Sequence, residues 1–274
     1  GEVLMGMAVA PNDPERVVVT DMGFIHLTSD GGQTWRQAYV AAQDENPAGN
    51  STPRGKNYHS IGLENTSCWQ VFWVDSLNLF AAYTDIRGIR SNDGGESWSF
   101  DYTGHTQNTM YWITKHNTQN ILYAATSTIH DLYESTYLTD ERIDNGSGKI
   151  IYSEDGGKTW ADLHDFGHPV YWVATDPTDD NRLYASVVHS TEGGIYFTNN
   201  LSAGALSTWQ KLPAPPRTEG HPATIVVLKD GILVCSFSGR RANNNFTASS
   251  GVFIYQGGQW QDAVSYTHLT LPTN

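Results

Sequence analysis

The chain has 274 residues, of which 26 are glycine and 12% are aromatic, and its formal net charge is −13. This composition is typical of many short strands joined by Gly, Asn and Asp turns, in one large or two smaller β domains. The acidic charge argues against nucleic acid as a partner, since phosphate recognition needs a basic surface. No apolar run approaches the roughly 20 residues that span a bilayer, and Cys68 and Cys235 have the spacing of neither a metal site nor a disulfide framework. We therefore expect an all-β protein without a membrane span, a metal ion or a cofactor.

Pairs of predicted strands recur along the chain. An apolar strand, a polar turn and a second apolar strand form "MAVAPNDPERVVVTD" near the beginning, and the same unit follows four more times. The later copies are "FWVDSLNLFAAYTD", "YWITKHNTQNILYAAT", "WVATDPTDDNRLYAS" and "TIVVLKDGILVCSFS". Two further strands follow each pair, and we label the four strands of one repeat A to D.

An octet recurs where strand C turns into strand D. It reads "TSDGGQTW" at 28–35, "SNDGGESW" at 91–98 and "SEDGGKTW" at 153–160, and weaker copies end at Trp209 and Trp260. An octet present three times is a poor candidate for a single active site. Its carboxylate can accept hydrogen bonds from turn amides and its glycines supply permissive backbone angles, while calcium binding is the alternative. We assign structural roles to the following residues: Asp30, Trp35, Asp93, Trp98, Asp155 and Trp160.

The period of the repeat predicts the architecture. The three octet tryptophans are 63 and 62 residues apart, and four strands per period indicate a β-propeller, whose blades stand around a central axis. Five blades are visible over residues 1–263, and we expect at least one more blade to be missing from the ring. The octet resembles the Asp-box, or BNR repeat, of the sialidase superfamily, and the blade pattern is similar throughout residues 1–262. In that family the box lies on the face remote from the active site, and the resemblance implies an exported protein, extracellular or periplasmic.

The last residues have a separate origin. The stretch "VSYTHLTLPT", at 264–273, is the translation of a transposon-end sequencing adapter, and Ala263 and Asn274 are compatible with the adapter bases on either side. We therefore expect residues 264–274 to be a read-through tail outside the propeller, and we exclude His268 from every candidate site.

Chemistry-bearing residues concentrate in the B–C and D–A loops, which emerge on the propeller face opposite the octets, here called the loop face. Aromatic rings stack on sugar rings, a carboxyl pair can serve as acid and as nucleophile or base, and His can transfer protons. The candidate catalytic residues are Asp85, Asp131, Glu192, His168 and His221. The candidate substrate-binding residues are Arg87, Arg217, Arg240, His105, His189, Trp112 and Trp172. The alternatives are structural, because the carboxylates can cap turns and the histidines and tryptophans can pack within or between blades.

The loop face also predicts the function. We expect a glycoside hydrolase or polysaccharide lyase acting on a glycan, and an anionic glycan would pair with the arginines. An insertion at residues 130–148 lengthens one B–C loop and either shapes the binding site or is disordered. The Arg-Ile-Pro motif of sialidases does not occur in this sequence, so no catalytic role is transferred from that family. The alternative is a non-catalytic propeller that binds a glycan or a protein, and a carboxyl pair about 5 to 10 Å apart would favour hydrolysis.

Overall fold

The computed structural model of the chain describes residues 6–20, 25–47, 49–60, 66–133, 139–242 and 245–263. The tail predicted at 264–274 lies outside these ranges, as do residues 134–138 of the insertion. Within the described ranges, no helix is both long enough and apolar enough to cross a bilayer.

Three antiparallel sheets form the first part of the chain, and each is a meander of neighbouring strands. The first sheet contains β1 (Gly6–Ala10), β2 (Asp13–Thr20), β3 (Ile25–Thr28) and β4 (Arg36–Gln37). The second contains β5 (Cys68–Trp73), β6 (Leu79–Tyr83) and β7 (Gly88–Ser91). The third contains β8 (Thr109–Lys115), β9 (Leu122–Ser127), β10 (Gly148–Ser153) and β11 (Ala161–Asp165). In the second sheet a single backbone bridge between Arg90 and Ser99 stands in the place of the fourth strand.

Two further antiparallel sheets complete the described chain. The fourth sheet contains β12 (Val170–Asp176), β13 (Asp179–Val187), β14 (Gly194–Thr198) and β15 (Gln210–Lys211). The fifth begins with β16 (Pro222–Val227) and β17 (Leu233–Phe237), is interrupted by a hairpin of β18 (Arg241–Ala242) and β19 (Asn245–Phe246), and ends with β20 (Gly251–Gln256) and β21 (Gln259–Asp262). The helical segments are α1 (Asp140–Asp144) and two 3₁₀ turns, Ala42–Asp44 and Leu201–Leu206. The five predicted blades are confirmed.

The hydrophobic core lies between successive sheets from the second to the fifth. Strands β6 and β9 are buried along their whole length, because a strand inside a blade is covered by a neighbouring blade on each face. Phe80 of the second sheet meets Trp160 of the third octet edge to face, with ring centroids 5.5 Å apart. The first sheet is different, since Met7 is 66% exposed and Val9 is 49% exposed. The described residues therefore leave part of its apolar surface uncovered.

Candidate functional site at the loop face

Two carboxylates flank one imidazole where the second and third sheets reach the loop face. Asp85 follows β6, and His130 and Asp131 begin the insertion that follows β9. The Nδ1 atom of His130 lies 3.9 Å from Asp85 Oδ1 and 3.7 Å from Asp131 Oδ2. The two carboxylate oxygens are therefore at most about 8 Å apart, which is below the upper limit of roughly 9.5 Å for glycosidase carboxyl pairs.

Neighbouring side chains hold both carboxylates in place. The hydroxyl of Thr84 donates to Asp131 Oδ1 at 3.0 Å and accepts from Trp69 Nε1 at 2.7 Å. The amide of Asn108 donates to Asp85 Oδ1 at 3.1 Å. The side chain of Asp85 is 56% exposed and that of Asp131 is 22% exposed. Solvent and ligands can therefore reach Asp85 directly, while Asp131 is more enclosed.

The backbone of these two loops adopts the left-handed region at residues other than glycine. The residues concerned are Asp85 (φ 62°), Arg87 (φ 70°), Asp131 (φ 48°) and Tyr133 (φ 64°). Two successive γ-turns produce the first two, because the amide of Ile86 donates to Thr84 O at 2.7 Å and the amide of Gly88 donates to Ile86 O at 2.8 Å. Such conformations cost energy, persist only where the surrounding structure enforces them, and cluster at binding and catalytic sites.

The far end of the insertion docks on the fifth sheet through Asp140, the first residue of α1. Its carboxylate forms an ion pair with Arg240 Nη2 at 2.5 Å and lies 3.6 Å from His221 Nε2. His221 is fully buried, and burial lowers the pKa of its imidazole below the ordinary value. Sequence reasoning missed this contact of Asp140, because nothing local indicates that the loop reaches a different blade.

Asp144, the last residue of α1, docks on the fourth sheet in a similar way. It accepts hydrogen bonds from the Ser190 amide at 2.8 Å and the Ser190 hydroxyl at 2.6 Å, and it lies 3.6 Å from His189 Nε2. Partial burial opposes ionisation, but these hydrogen bonds hold the pKa of the Asp144 carboxyl below its ordinary value. His168 packs on His189 with ring centroids 4.2 Å apart, and burial followed by the His189 charge lowers the pKa of His168. The helix-start pattern "TDERID" at 139–144 is a sequence signal for the helix that carries both aspartates, but not for the blades that they contact.

An apolar cluster anchors the insertion between its two polar ends. Leu132 and Ile143 are buried from solvent and pack with Tyr111, Trp69 and Tyr171. The hydroxyl of Tyr111 accepts a hydrogen bond from the Leu132 amide at 2.9 Å. The ring of Tyr111 lies 4.9 Å from the ring of Trp69 and 5.0 Å from that of Tyr171, measured between centroids. Leu132 and Ile143 of the insertion therefore pack against the third and fourth sheets at the loop face.

The two tryptophans proposed for substrate binding contact each other. The rings of Trp112 and Trp172 are stacked, with centroids 3.6 Å apart and planes at 15°. The Trp172 indole also donates to Ile225 O at 2.9 Å. One face of each ring is therefore covered by the other ring, and the stack connects the third sheet to the fourth.

The predicted site residues His105, Arg217 and Glu192 differ in their burial and in their contacts. His105 is buried, and burial lowers the pKa of its imidazole to about 3. Arg217 forms an ion pair with Asp262 at 2.8 Å, which holds it against the last strand of the fifth sheet. Glu192 is exposed, and its backbone amide donates to His189 Nδ1 at 3.0 Å. The structure therefore brings Asp85 and Asp131 together, whereas Arg217 contacts the fifth sheet, Glu192 lies in a loop of the fourth sheet, and His105 is buried.

The octets form the same turn three times on the opposite face. Asp93 accepts hydrogen bonds from the Ser91 hydroxyl at 2.7 Å, from the Ser97 amide at 3.0 Å and from the Ser97 hydroxyl at 2.5 Å. Asp30 and Asp155 accept the equivalent bonds. Burial opposes ionisation of Asp93, but the hydrogen bonds bring its pKa to about 2. Hydrogen bonds also bring the pKa of Asp30 to about 2, and the largest contribution is from the Thr34 hydroxyl.

Blades with one repeated turn on one face and varied polar loops on the other define the protein as a β-propeller. No family model matches the chain. Over 177 residues it is 25% identical to the photosystem II assembly protein Ycf48 of Synechococcus sp. (strain JA-3-3Ab), with 58% of this chain and 48% of the relative covered. The chain therefore spans about half the length of this curated relative.

Solved structures share the fold. An ancestral GH74 enzyme superposes with a TM-score of 0.54 and 16% identity, over 94% of this chain and 31% of that structure. The GH74 enzyme of Niastella koreensis gives a TM-score of 0.50 and 17% identity, over 94% of this chain and 38% of that structure. At these identities the likeness concerns the fold alone, and it confirms the predicted propeller.

Proposed function

We propose that this chain is part of a carbohydrate-active enzyme, a glycoside hydrolase in which Asp85 and Asp131 form the carboxyl pair. The observation that carries the proposal is the position of both carboxylates around His130, at 3.9 and 3.7 Å from its Nδ1 atom. The resemblance of the octets to the Asp-boxes of the sialidase superfamily supports the same class. That resemblance also supports an extracellular or periplasmic location.

The geometry suits hydrolysis of a glycosidic bond. One carboxyl group donates a proton to the leaving oxygen, and the other acts as nucleophile or as the base that activates water. The exposed Asp85 is placed to meet the sugar, whereas Asp131 is oriented by the Thr84 hydroxyl at 3.0 Å. His130 lies between them and can carry a proton from one carboxylate to the other. The γ-turns keep Asp85 and Arg87 on this face in spite of their conformational cost.

A non-catalytic propeller that binds a glycan or a protein is the second candidate. The 25% identity to the assembly protein Ycf48 favours it. The charge of the ligand is a separate question, because the guanidinium groups of Arg240 and Arg217 are already engaged by Asp140 and Asp262 of the chain. The proposal of an enzyme therefore does not depend on an anionic substrate.

The test is release of reducing ends from a panel of neutral and acidic polysaccharides by the 274-residue chain. We expect Asp85→Asn and Asp131→Asn each to lower kcat by at least about 100-fold, as removal of an acid or base typically does. Asp162→Asn is the matched control, because the side chain of Asp162 is also 56% exposed but lies on the outer strand β11. This control should keep the parent rate.

Two outcomes would contradict hydrolysis. If both variants retain the parent rate, the carboxyl pair is not catalytic. If the parent binds a glycan of the panel and releases no reducing ends, the non-catalytic propeller becomes the better description. Azide added to Asp85→Ala or Asp131→Ala can attack the anomeric carbon in place of the missing group, and the glycosyl azide formed assigns the roles. An anomeric configuration opposite to that of the substrate marks the missing carboxylate as the nucleophile or base, and the same configuration marks it as the acid/base.

A further inference from the structure

A cleft of about 550 Å³ lies between the first and second sheets. One wall is formed by the first sheet and the D–A segment that follows it (residues 39–47 and 49–60), and the other wall is formed by the second sheet. Aromatic rings dominate the lining, which includes Trp35, Tyr39, Tyr58, Trp98 and Phe100. Both the volume and the combination of rings with a few polar groups are typical of a small-molecule site.

The wall of the cleft is built before any ligand arrives. Tyr58 and Trp98 exchange two backbone hydrogen bonds, of 2.8 and 2.9 Å, so the D–A segment pairs with the edge of the second sheet. The amide of Asn46 donates to the Tyr58 hydroxyl at 2.9 Å, and the ammonium of Lys56 donates to Asn46 Oδ1 at 3.0 Å. Binding in a prearranged wall loses little conformational entropy.

Trp35 and Trp98 contribute their indole rings to the lining of the cleft. The indole N–H groups of Trp35 and Trp98 each donate to a carbonyl of their own octet at 3.1 Å, so neither needs a ligand acceptor. Trp35 is 46% exposed. An exposed aromatic face of this kind stacks on the C–H face of a sugar ring, which is apolar although its hydroxyl groups are not.

Two pairs of ionisable groups of opposite sign lie in the wall, and the Lys56 ammonium donates to carbonyl and amide oxygens instead. Arg36 lies 3.9 Å from Glu45, and Asp44 lies 2.7 Å from His59. A charged ligand would therefore find no uncompensated partner in these two pairs. The Oε1 atom of Glu45 is shielded from solvent and has no hydrogen-bond donor among the described residues, so it is available to accept from a ligand hydroxyl. We infer that the cleft binds one or two rings of a neutral glycan.

The cleft adjoins the proposed catalytic pair. Ile86 lines the cleft and is the residue between Asp85 and Arg87 in the two γ-turns. A glycan that occupies the cleft and continues past Ile86 reaches the Asp85 carboxylate. The cleft is therefore a substrate subsite, and this part of the inference rests on the proposed hydrolase.

The test measures binding separately from turnover. In the Asp85→Asn background, calorimetric titration with cellotetraose and maltotetraose as neutral probes should show binding of at least one of them, and tetragalacturonate, the anionic probe, should bind less tightly. Trp35→Ala should lower the affinity for the neutral probe about tenfold, which is the loss expected for one stacked ring. Trp73→Ala is the matched control, because Trp73 is 55% exposed but lies on β5 outside the cleft, and it should bind like the parent.

A second variant guards against misfolding of the octet. Glu45→Gln replaces the shielded carboxylate, which lies in a loop. This variant should bind the same probe several-fold less tightly, and its circular dichroism spectrum should be unchanged. The inference is overturned if neither neutral probe binds at millimolar concentration, if the anionic probe binds best, or if folded Trp35→Ala binds like Trp73→Ala. If the parent protein cleaves a glycan with a KM that Trp35→Ala leaves unchanged, the proposed hydrolase activity is supported and the proposed subsite is rejected. If the cleft variants lose glycan binding and no glycan is cleaved by the parent, glycan binding in the cleft is supported and the proposed hydrolase activity is rejected.

Discussion

The octet turns and the B–C turn of the second sheet both require backbone with positive φ, but they use different residues for it. In the third octet, Gly156 and Gly157 have φ values of 71° and 85°. In the B–C loop of the second sheet, Asp85 and Arg87 have φ values of 62° and 70°. Glycine adopts this region without a steric penalty, whereas other residues bear a cost of about 1 to 3 kcal/mol.

The difference separates scaffold from site. An octet only has to turn the chain, so glycine is sufficient, and the same hydrogen bonds recur in each copy. The B–C turns that contain Asp85, Arg87 and Asp131 keep side chains that glycine lacks, and the two loops differ in sequence. A conformational cost retained at Asp85, Arg87 and Asp131 is consistent with a role for those side chains beyond the fold.

The largest expected effect is loss of the buried octet tryptophan. Trp160 is 4% exposed and packs against Phe80, so Trp160→Ala should lower the free energy of unfolding by about 3 to 5 kcal/mol. Trp35, which is 46% exposed in the first octet, is the internal control, and Trp35→Ala should cost no more than about 1 kcal/mol. Urea denaturation of both variants measures the difference. Equal losses would mean that the octets do not differ in how deeply they pack.

The next effect tests the two kinds of turn directly. In Gly157→Ala the new Cβ would lie 2.8 Å from Phe80 Cδ2 at a φ of 85°, so we expect a loss of about 1 to 3 kcal/mol in unfolding free energy. Arg87→Gly should cause no loss and can stabilise the fold, because glycine relieves the positive φ at the expense of a more flexible unfolded chain. A destabilised Arg87→Gly protein would show that the arginine side chain supports the fold rather than the site.

Replacement of an octet carboxylate should have a smaller effect. Asp155 accepts bonds from the Thr159 amide at 2.8 Å and the Thr159 hydroxyl at 2.7 Å, but it is exposed, so Asp155→Ala should cost about 1 kcal/mol. Asp155→Asn should cost less, because Asn200 accepts the corresponding amide bond at 2.9 Å in the fourth repeat. Thermal unfolding of both variants, together with glycan turnover, measures this. Full stability of Asp155→Ala with loss of turnover would place the octet in the active site.

The smallest effect is a loss of stability in acid. The folded-state pKa of Asp93 is about 2, below its ordinary value of 3.8, so its hydrogen bonds contribute fully above about pH 4 and are lost as the pH falls towards 2. The folded-state pKa of Asp30 is also lowered to about 2. The melting temperature should therefore fall between pH 4 and 2, and the fall should be shallower in Asp93→Asn, which has one fewer titrating carboxyl. An identical pH profile for the variant would show that Asp93 does not contribute to this acid sensitivity.

Much of the fold could be predicted from local patterns. Each A–B unit alternates strand, turn and strand within about 15 residues. The side-chain hydrogen bonds of each octet aspartate join residues of the same eight. Such features depend on residues close together in the chain, so they can be predicted from the sequence. The loop positions of Asp85 and Asp131 follow from the same repeat.

What only the tertiary structure decided is which loops meet. Asp140 contacts Arg240 across 100 residues, and Trp112 stacks on Trp172 across 60 residues, because blade packing brings distant segments together. The cleft wall formed by the D–A segment depends in the same way on the pairing of Tyr58 with Trp98. By itself the sequence determined the repeated strands and turns, because these are stabilised by contacts between residues close in the chain. The surroundings of each polar side chain were decided by the packing of blade against blade, which no local pattern records.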